Sequence, residues 1–152
     1  MFLIDDLFKN LNEKCLTLSV AESCTGGSLS AKICSFPGIS SIFKGGIVAY
    51  SDNIKIDRLN INPNDIIKYG AVSSQVASQM SNSVMKLFNT DIGVSTTGYA
   101  GPTGDEVGMV FVSFSMNGKK TIVKEFNFKG SRSDIIEQTI LSSLEIIFNQ
   151  IN

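Results

Sequence analysis

Leu3, Leu7 and Leu11, with Ile4 and Phe8 beside them, recur at helical spacing and predict an amphipathic helix at the start of the chain. Leu16 to Val20 follows as an apolar run of strand length. Ala21-Glu22-Ser23-Cys24-Thr25-Gly26-Gly27 then reads as a tight polar loop opening a second helix, which carries Leu29 and Ile33 and stops at Phe36-Pro37-Gly38. A second cluster of small residues, Ile39 to Gly46, leads into a strand predicted from Ile47 to Tyr50. Short helices are expected over Asp52 to Leu59 and Pro63 to Tyr69, the latter closed by Gly70. Ser73 caps a longer helix whose inward face is Val76, Met80, Val84 and Leu87.

Ile92 to Thr96 reads as a strand entering a third loop of small residues, Thr97 to Gly104. Alternating runs from Val107 to Met116 and from Thr121 to Phe128 flank Asn117-Gly118, a strong hairpin signal. The last helix carries Ile136, Ile140, Leu144, Ile147 and Ile151, and Ser131 with Asp134 suits a capping box. Strands alternating with helices, then a hairpin and a terminal helix, predict an α/β fold. The expected form is a three-layer α/β/α sandwich on a mixed, largely parallel sheet, with the C-terminal hairpin and helix added to it. No internal repeat or linker interrupts the pattern, so residues 1–152 read as a single domain.

Composition narrows the chemistry. A net charge of −1 with 18% charged residues argues against nucleic acid as the main partner. No apolar run reaches the length of a membrane span, and Asp5-Asp6 follow the first apolar residues at once, so a cytoplasmic protein is expected. Three cysteines, Cys15, Cys24 and Cys34, form no C-x-x-C pair and do not suit a disulfide framework. The chain has no histidine, which removes Ser-His-Asp and Cys-His systems and the usual zinc sites, so neither metal nor cofactor is expected. Cys24 beside a helix N-terminus suits either a reactive thiol or a buried structural residue.

The loop from Ala21 to Gly27 suits an anion, because paired glycines admit a close approach and a helix N-terminus presents free N–H groups. A plain turn would use the same residues. Neither G-x-x-x-x-G-K-[ST] nor G-x-G-x-x-G occurs. Ser41 to Lys44 and Ser51 to Asn53 mimic two penicillin-binding signatures, but the third, K-T-G, fails at Ile122. Ser40, Tyr50 and Lys55 form a candidate set, since a lysine made less basic by burial, or a tyrosine relaying its proton, can activate a hydroxyl without histidine. Their spacing equally suits a turn cap, a rim residue and a solvated lysine. Arg132 falls in the first turn of the last helix, where a cation opposes the dipole; that placement makes sense beside an anion, or for a side chain reaching into water.

Together these stretches resemble the C-terminal domain of the competence/damage-inducible protein CinA family, whose stand-alone members include nicotinamide mononucleotide deamidases. Ala21 to Gly27 matches A-E-S-C-T-G-G, Pro37 to Phe43 matches P-G-x-S-x-x-F, and Gly46 to Lys55 matches G-x-V-x-Y-S-x-x-x-K. Gly70 to Ser73 and Thr97 to Pro102 follow in the family's order. The resemblance implies metal-free hydrolysis of the carboxamide of nicotinamide mononucleotide to nicotinate mononucleotide and ammonia. It implies Ser40 as nucleophile with Tyr50 and Lys55 as activating partners. Substrate contacts would come from Ser23, Thr25, Gly26, Gly27, Gly45, Gly46, Thr97, Gly98 and Gly101, with Arg132 facing the phosphate. A homo-oligomer, most simply a dimer, would also be expected.

The chain departs from the family at two places. Gly104 is followed directly by Asp105-Glu106-Val107-Gly108, without the family's Lys-Pro, and Ile136 stands where a second arginine is usual. A nucleotide-binding module without catalysis is therefore the alternative expectation. An assembly partner standing in for half of a two-domain protein is a third.

Overall fold

The computed structural model describes residues 4–152. Leu3, expected on the first helix, lies outside them. Helix α1 (Ile4–Glu13) buries Leu7, Phe8 and Leu11 as its apolar spacing requires. Strand β1 (Leu18–Glu22), helix α2 (Ser28–Cys34) and strand β2 (Phe43–Val48) follow, with a 3-10 turn over Ile39–Ser41 before β2. Next come α3 (Asp52–Leu59), α4 (Pro63–Tyr69), α5 (Ser74–Leu87), β3 (Ile92–Gly98), β4 (Met109–Met116), β5 (Ile122–Asn127) and α6 (Arg132–Ile151). Among the described residues no helix is long and apolar enough to cross a membrane.

One five-stranded sheet has the order β2-β1-β3-β4-β5. β1 runs parallel to both β2 and β3, while β3–β4 and β4–β5 are antiparallel. The sheet is thus mixed with an even split of pairings, because the two strands after the third loop belong to a hairpin meander.

The chain leaves β1 toward β2 on one side and then crosses back to β3 on the other. Right-handed crossovers in opposite directions place their helices on opposite faces, which gives the three layers. On one face α1, α2 and α6 cover Leu18, Val20, Ile92, Val94, Val110, Val112 and Phe114. On the other, α5 packs with α3 and α4 over Ala21 and Ala49.

Under α5 the sheet is lined by small and hydroxyl residues. Ser81 of α5 pairs with Ser113 and Ser115 of β4, each at 2.7 Å, and Ser95 of β3 donates to the Ala77 carbonyl at 2.7 Å. A Cβ at Gly93 would run into the Ser81 carbonyl oxygen. The helix therefore rides close to the sheet, with its buried hydroxyls satisfied across the interface.

Ser73 before α5 and a full capping box of Ser131 and Asp134 before α6 fix those helix starts as expected, and Ser51 caps α3. Leu87, expected on the inward face of α5, is exposed; Phe88 packs against that core in its place. On α6 the buried stripe runs through Ile135, Leu144, Ile147 and Ile151, with Ile136 and Ile140 at its border.

Candidate functional site

A cleft of about 310 Å³ opens at the C-terminal ends of the parallel strands. Its walls are the turn after β1, the β2–α3 connection, the loop after β3 and the start of α6. The reversal of strand order around β1 leaves a crevice there, the usual ligand position in open α/β sheets.

Lys55 forms the floor. Its side chain is only 1% exposed, although it lies in a helix of high polarity. Nζ donates to the Ala49 carbonyl at 2.8 Å and to Ser23 Oγ at 3.1 Å, with the Tyr50 carbonyl at 3.4 Å. Three acceptors satisfy the three N–H bonds of an ammonium. Burial nevertheless pushes the Lys55 pKa down, against the opposing pull of the Asp52 carboxylate. The neutral amine is thus brought closer to working pH, and in that form it can accept the Ser23 proton.

Ser23 follows β1 directly, and its backbone N–H donates to the Thr96 carbonyl at 2.9 Å. The residue before it, Glu22, is fully buried. One carboxylate oxygen accepts from the Leu29 N–H at 2.8 Å and the Thr25 hydroxyl at 2.7 Å. The other accepts from the Ser30 N–H at 3.0 Å and its hydroxyl at 2.7 Å. The N-terminal N–H groups of α2, expected to receive a ligand anion, therefore already hold one from within the chain.

Thr25, Gly26 and Gly27 are thereby corrected. Thr25 is buried and its hydroxyl links Glu22 to Thr96, while the Gly26 N–H donates to the Ser23 carbonyl. Both glycines take positive φ, 58° and 98°, to close the turn, and neither lines the cleft. Cys24 reaches the cleft wall, but burial pushes its thiol up to about 11, so it stays protonated and unreactive.

Arg132, the first residue of α6, reaches across the mouth. One guanidinium nitrogen donates to the Gly101 carbonyl and the other to the Tyr50 hydroxyl at 3.1 Å. Tyr50 presents its phenol to Arg132 and only its carbonyl to Lys55, so it stands at the rim rather than in a proton relay. Thr97, Gly98 and Gly101 line the wall, with the Thr97 hydroxyl donating to the Ala71 carbonyl at 2.9 Å. Asp52 and Tyr99 also face the cleft, where sequence reasoning had not placed them.

Ser40 is the main correction. It sits, exposed, in the 3-10 turn before β2, whereas Tyr50 and Lys55 come after that strand. A strand of six residues separates the two ends by about 20 Å at roughly 3.3 Å per residue. Gly45 and Gly46 are likewise not in a loop. They belong to β2, where a Cβ on Gly45 would strike the Phe88 ring and one on Gly46 would strike Val20 and Ser30. Close packing, rather than substrate, explains them. The hydroxyl that meets Lys55 is that of Ser23, a residue just beyond the C-terminal end of a central strand; that position was the signal available in the sequence.

The model of the CinA C-terminal domain matches residues 2–151. The chain belongs to the CinA C-terminal domain family. A protein of Alkaliphilus oremlandii is 46% identical over 147 residues, which make up 94% of this chain and 35% of that protein. A CinA-like protein of Dictyoglomus turgidum is 44% identical over 142 residues, 90% of this chain and 34% of its own. The chain therefore spans about a third of the length of these curated relatives.

Among solved structures, a CinA superfamily protein from Enterobacter cloacae superposes with a TM-score of 0.93 at 29% identity, covering 100% of this chain and 94% of that one. The competence/damage inducible protein CihA from Agrobacterium tumefaciens gives 0.91 at 29% identity, covering 99% and 100%. Their names speak of competence and damage and state no reaction. The match confirms the α/β fold of this CinA domain with its mixed five-stranded sheet.

Proposed function

We propose that this CinA domain hydrolyses the carboxamide of nicotinamide mononucleotide, giving nicotinate mononucleotide and ammonia, with Ser23 as nucleophile and Lys55 as its base. The observation that carries the reading is the 3.1 Å contact between Ser23 Oγ and a buried Lys55 Nζ inside the cleft. The reaction class comes from the family resemblance, and the pair supplies what such a reaction needs without histidine.

The neutral Lys55 amine takes the hydroxyl proton as Ser23 Oγ bonds to the carboxamide carbon, and the carbonyl electrons move onto oxygen. Collapse of that intermediate breaks the carbon–nitrogen bond, and Lys55 returns the proton to the departing ammonia. Water, deprotonated by Lys55, then cleaves the acyl-serine ester and restores the serine. General base catalysis of this kind contributes about 10²- to 10⁴-fold. Arg132 would leave the Gly101 carbonyl for the substrate phosphate, a pairing its planar fork favours.

A second reading, a module that binds the nucleotide without turnover, draws on Ile136. That side chain packs at the border of the core, so no second cation is supplied from its position. Ammonia release from nicotinamide mononucleotide by wild type and by Ser23→Ala decides between them. Release lost in the variant supports the hydrolase; calorimetric binding with no release by wild type supports the module; equal release by both proteins overturns Ser23.

A further inference from the structure

Glu22 does not line the cleft, yet its hydrogen bonds run to the segments that carry both halves of the Ser23–Lys55 pair. Neighbouring residues on a strand point to opposite faces, so its side chain turns toward α2 while Ser23 turns toward α3. All four hydrogen bonds to the carboxylate come from residues shortly after Ser23, namely Thr25, Leu29 and Ser30. The Thr25 hydroxyl passes the hold on to Thr96 at 2.8 Å, and the Thr96 carbonyl accepts the Ser23 N–H. On the other side the Glu22 carbonyl accepts the Ala49 N–H at 2.8 Å, and the Ala49 carbonyl is the nearest acceptor of Lys55 Nζ. The carboxylate thus anchors the turn that carries the serine, while the main-chain carbonyl of the same residue ties that strand end to the segment that holds the lysine.

We propose that Glu22 is a positioning residue that sets the separation of Ser23 Oγ and Lys55 Nζ. This rests on the hydrolase reading above. A buried carboxylate is costly unless every oxygen is satisfied, and here the full set of donors is spent closing the turn behind the nucleophile. The requirement is for acceptors only. A glutamine would turn its NH₂ group toward the Leu29 or the Ser30 N–H whichever way the amide faced, because a main-chain N–H cannot reverse its role.

The test is Glu22→Gln, with Thr25→Val as a milder variant that cuts the link to Thr96. Each is first checked for folding by its thermal midpoint and circular dichroism. Two readouts follow: kcat and KM for ammonia release from nicotinamide mononucleotide, and the titration of the Lys55 ¹³Cε resonance. A displacement of about 1 Å should lower kcat by roughly a hundredfold in Glu22→Gln, with KM held within about threefold. Thr25→Val should show the same pattern at about a tenth of that size. The Lys55 titration should rise toward the ordinary lysine value as the serine turn moves away and water enters.

An unchanged kcat, or a rise in KM alone, in a folded variant overturns the proposal, as does an unmoved Lys55 titration. If wild type releases no ammonia, the hydrolase reading fails, and the resonance titration still decides whether Glu22 sets the pair. If Glu22→Gln does not fold, the same two readouts on Thr25→Val decide the matter.

Discussion

Lys55 Nζ lies 3.1 Å from Ser23 Oγ and 2.8 Å from the Ala49 carbonyl, so the amine is held from behind while it faces the hydroxyl. The two residues are 32 positions apart and meet because β1 and β2 run parallel and end together, Glu22 beside Val48. In the proposed reaction neither residue would act alone. Burial supplies the lowered lysine basicity, and proximity supplies the partner.

Ammonia release should rise with pH along one limb whose midpoint lies below 10.5, since burial favours the neutral Lys55. Asp52→Asn removes a carboxylate that favours the ammonium, so it should move that limb lower still. A kcat/KM profile against pH for both proteins checks the direction. Stability follows the same sign. With the folded value below the unfolded one, the buried charge costs stability at low pH, and the cost fades as pH climbs from the folded value to about 10.4. Urea midpoints for Lys55→Met should lack that slope.

Ser40→Ala should be silent. The side chain is exposed at the far end of β2, so stability should stay within about 0.5 kcal/mol of wild type. Ammonia release should match wild type, and a large loss would mean that the serine nucleophile lies outside the cleft.

Arg132→Ala should weaken binding more than chemistry. Loss of a hydrogen-bonded charge on a phosphate is worth about 1.5–3 kcal/mol, or roughly a 10- to 150-fold rise in KM. Lysine at this position should recover only part of it, because it lacks the planar fork that spans Tyr50 and Gly101. Steady-state kinetics on the three proteins separate the terms.

Gly93→Ala should destabilise the domain by about 1–3 kcal/mol, the usual cost of overpacking, because the new methyl would meet the Ser81 carbonyl. The shift in urea midpoint measures it. Ammonia release per folded molecule should be retained, since Gly93 lies near the opposite end of β3 from Gly98.

Local chemistry was legible in the sequence wherever a signal and its effect lie within a few residues. Ser73 and Ser131 each mark a helix start, and Asn117-Gly118 marks the hairpin. Gly45-Gly46 misled because glycine in a strand looks like glycine in a turn; the reasons for them, the Phe88 ring at Gly45 and Val20 with Ser30 at Gly46, come from other elements. Ser40 misled for a related reason. Spacing along the chain does not state which end of a strand a residue occupies, and ten positions that cross β2 lead away from the cleft. Glu22 was hidden because a carboxylate in a polar run looks solvated, and only the turn folding back over it reveals a buried side chain.

The paired antiparallel strands β4 and β5 have a consequence for where the last helix can begin. One strand carries the chain down from the Gly98 end of the sheet and the next carries it back, with Asn127 returning beside Met109. An even number of passes restores the chain to the level it left. A single added strand would have delivered Arg132 to the opposite rim, beyond reach of any group bound over Lys55. The parity of the meander, which contains no residue of the proposed chemistry, thus determines that the guanidinium and the amine open onto one cleft.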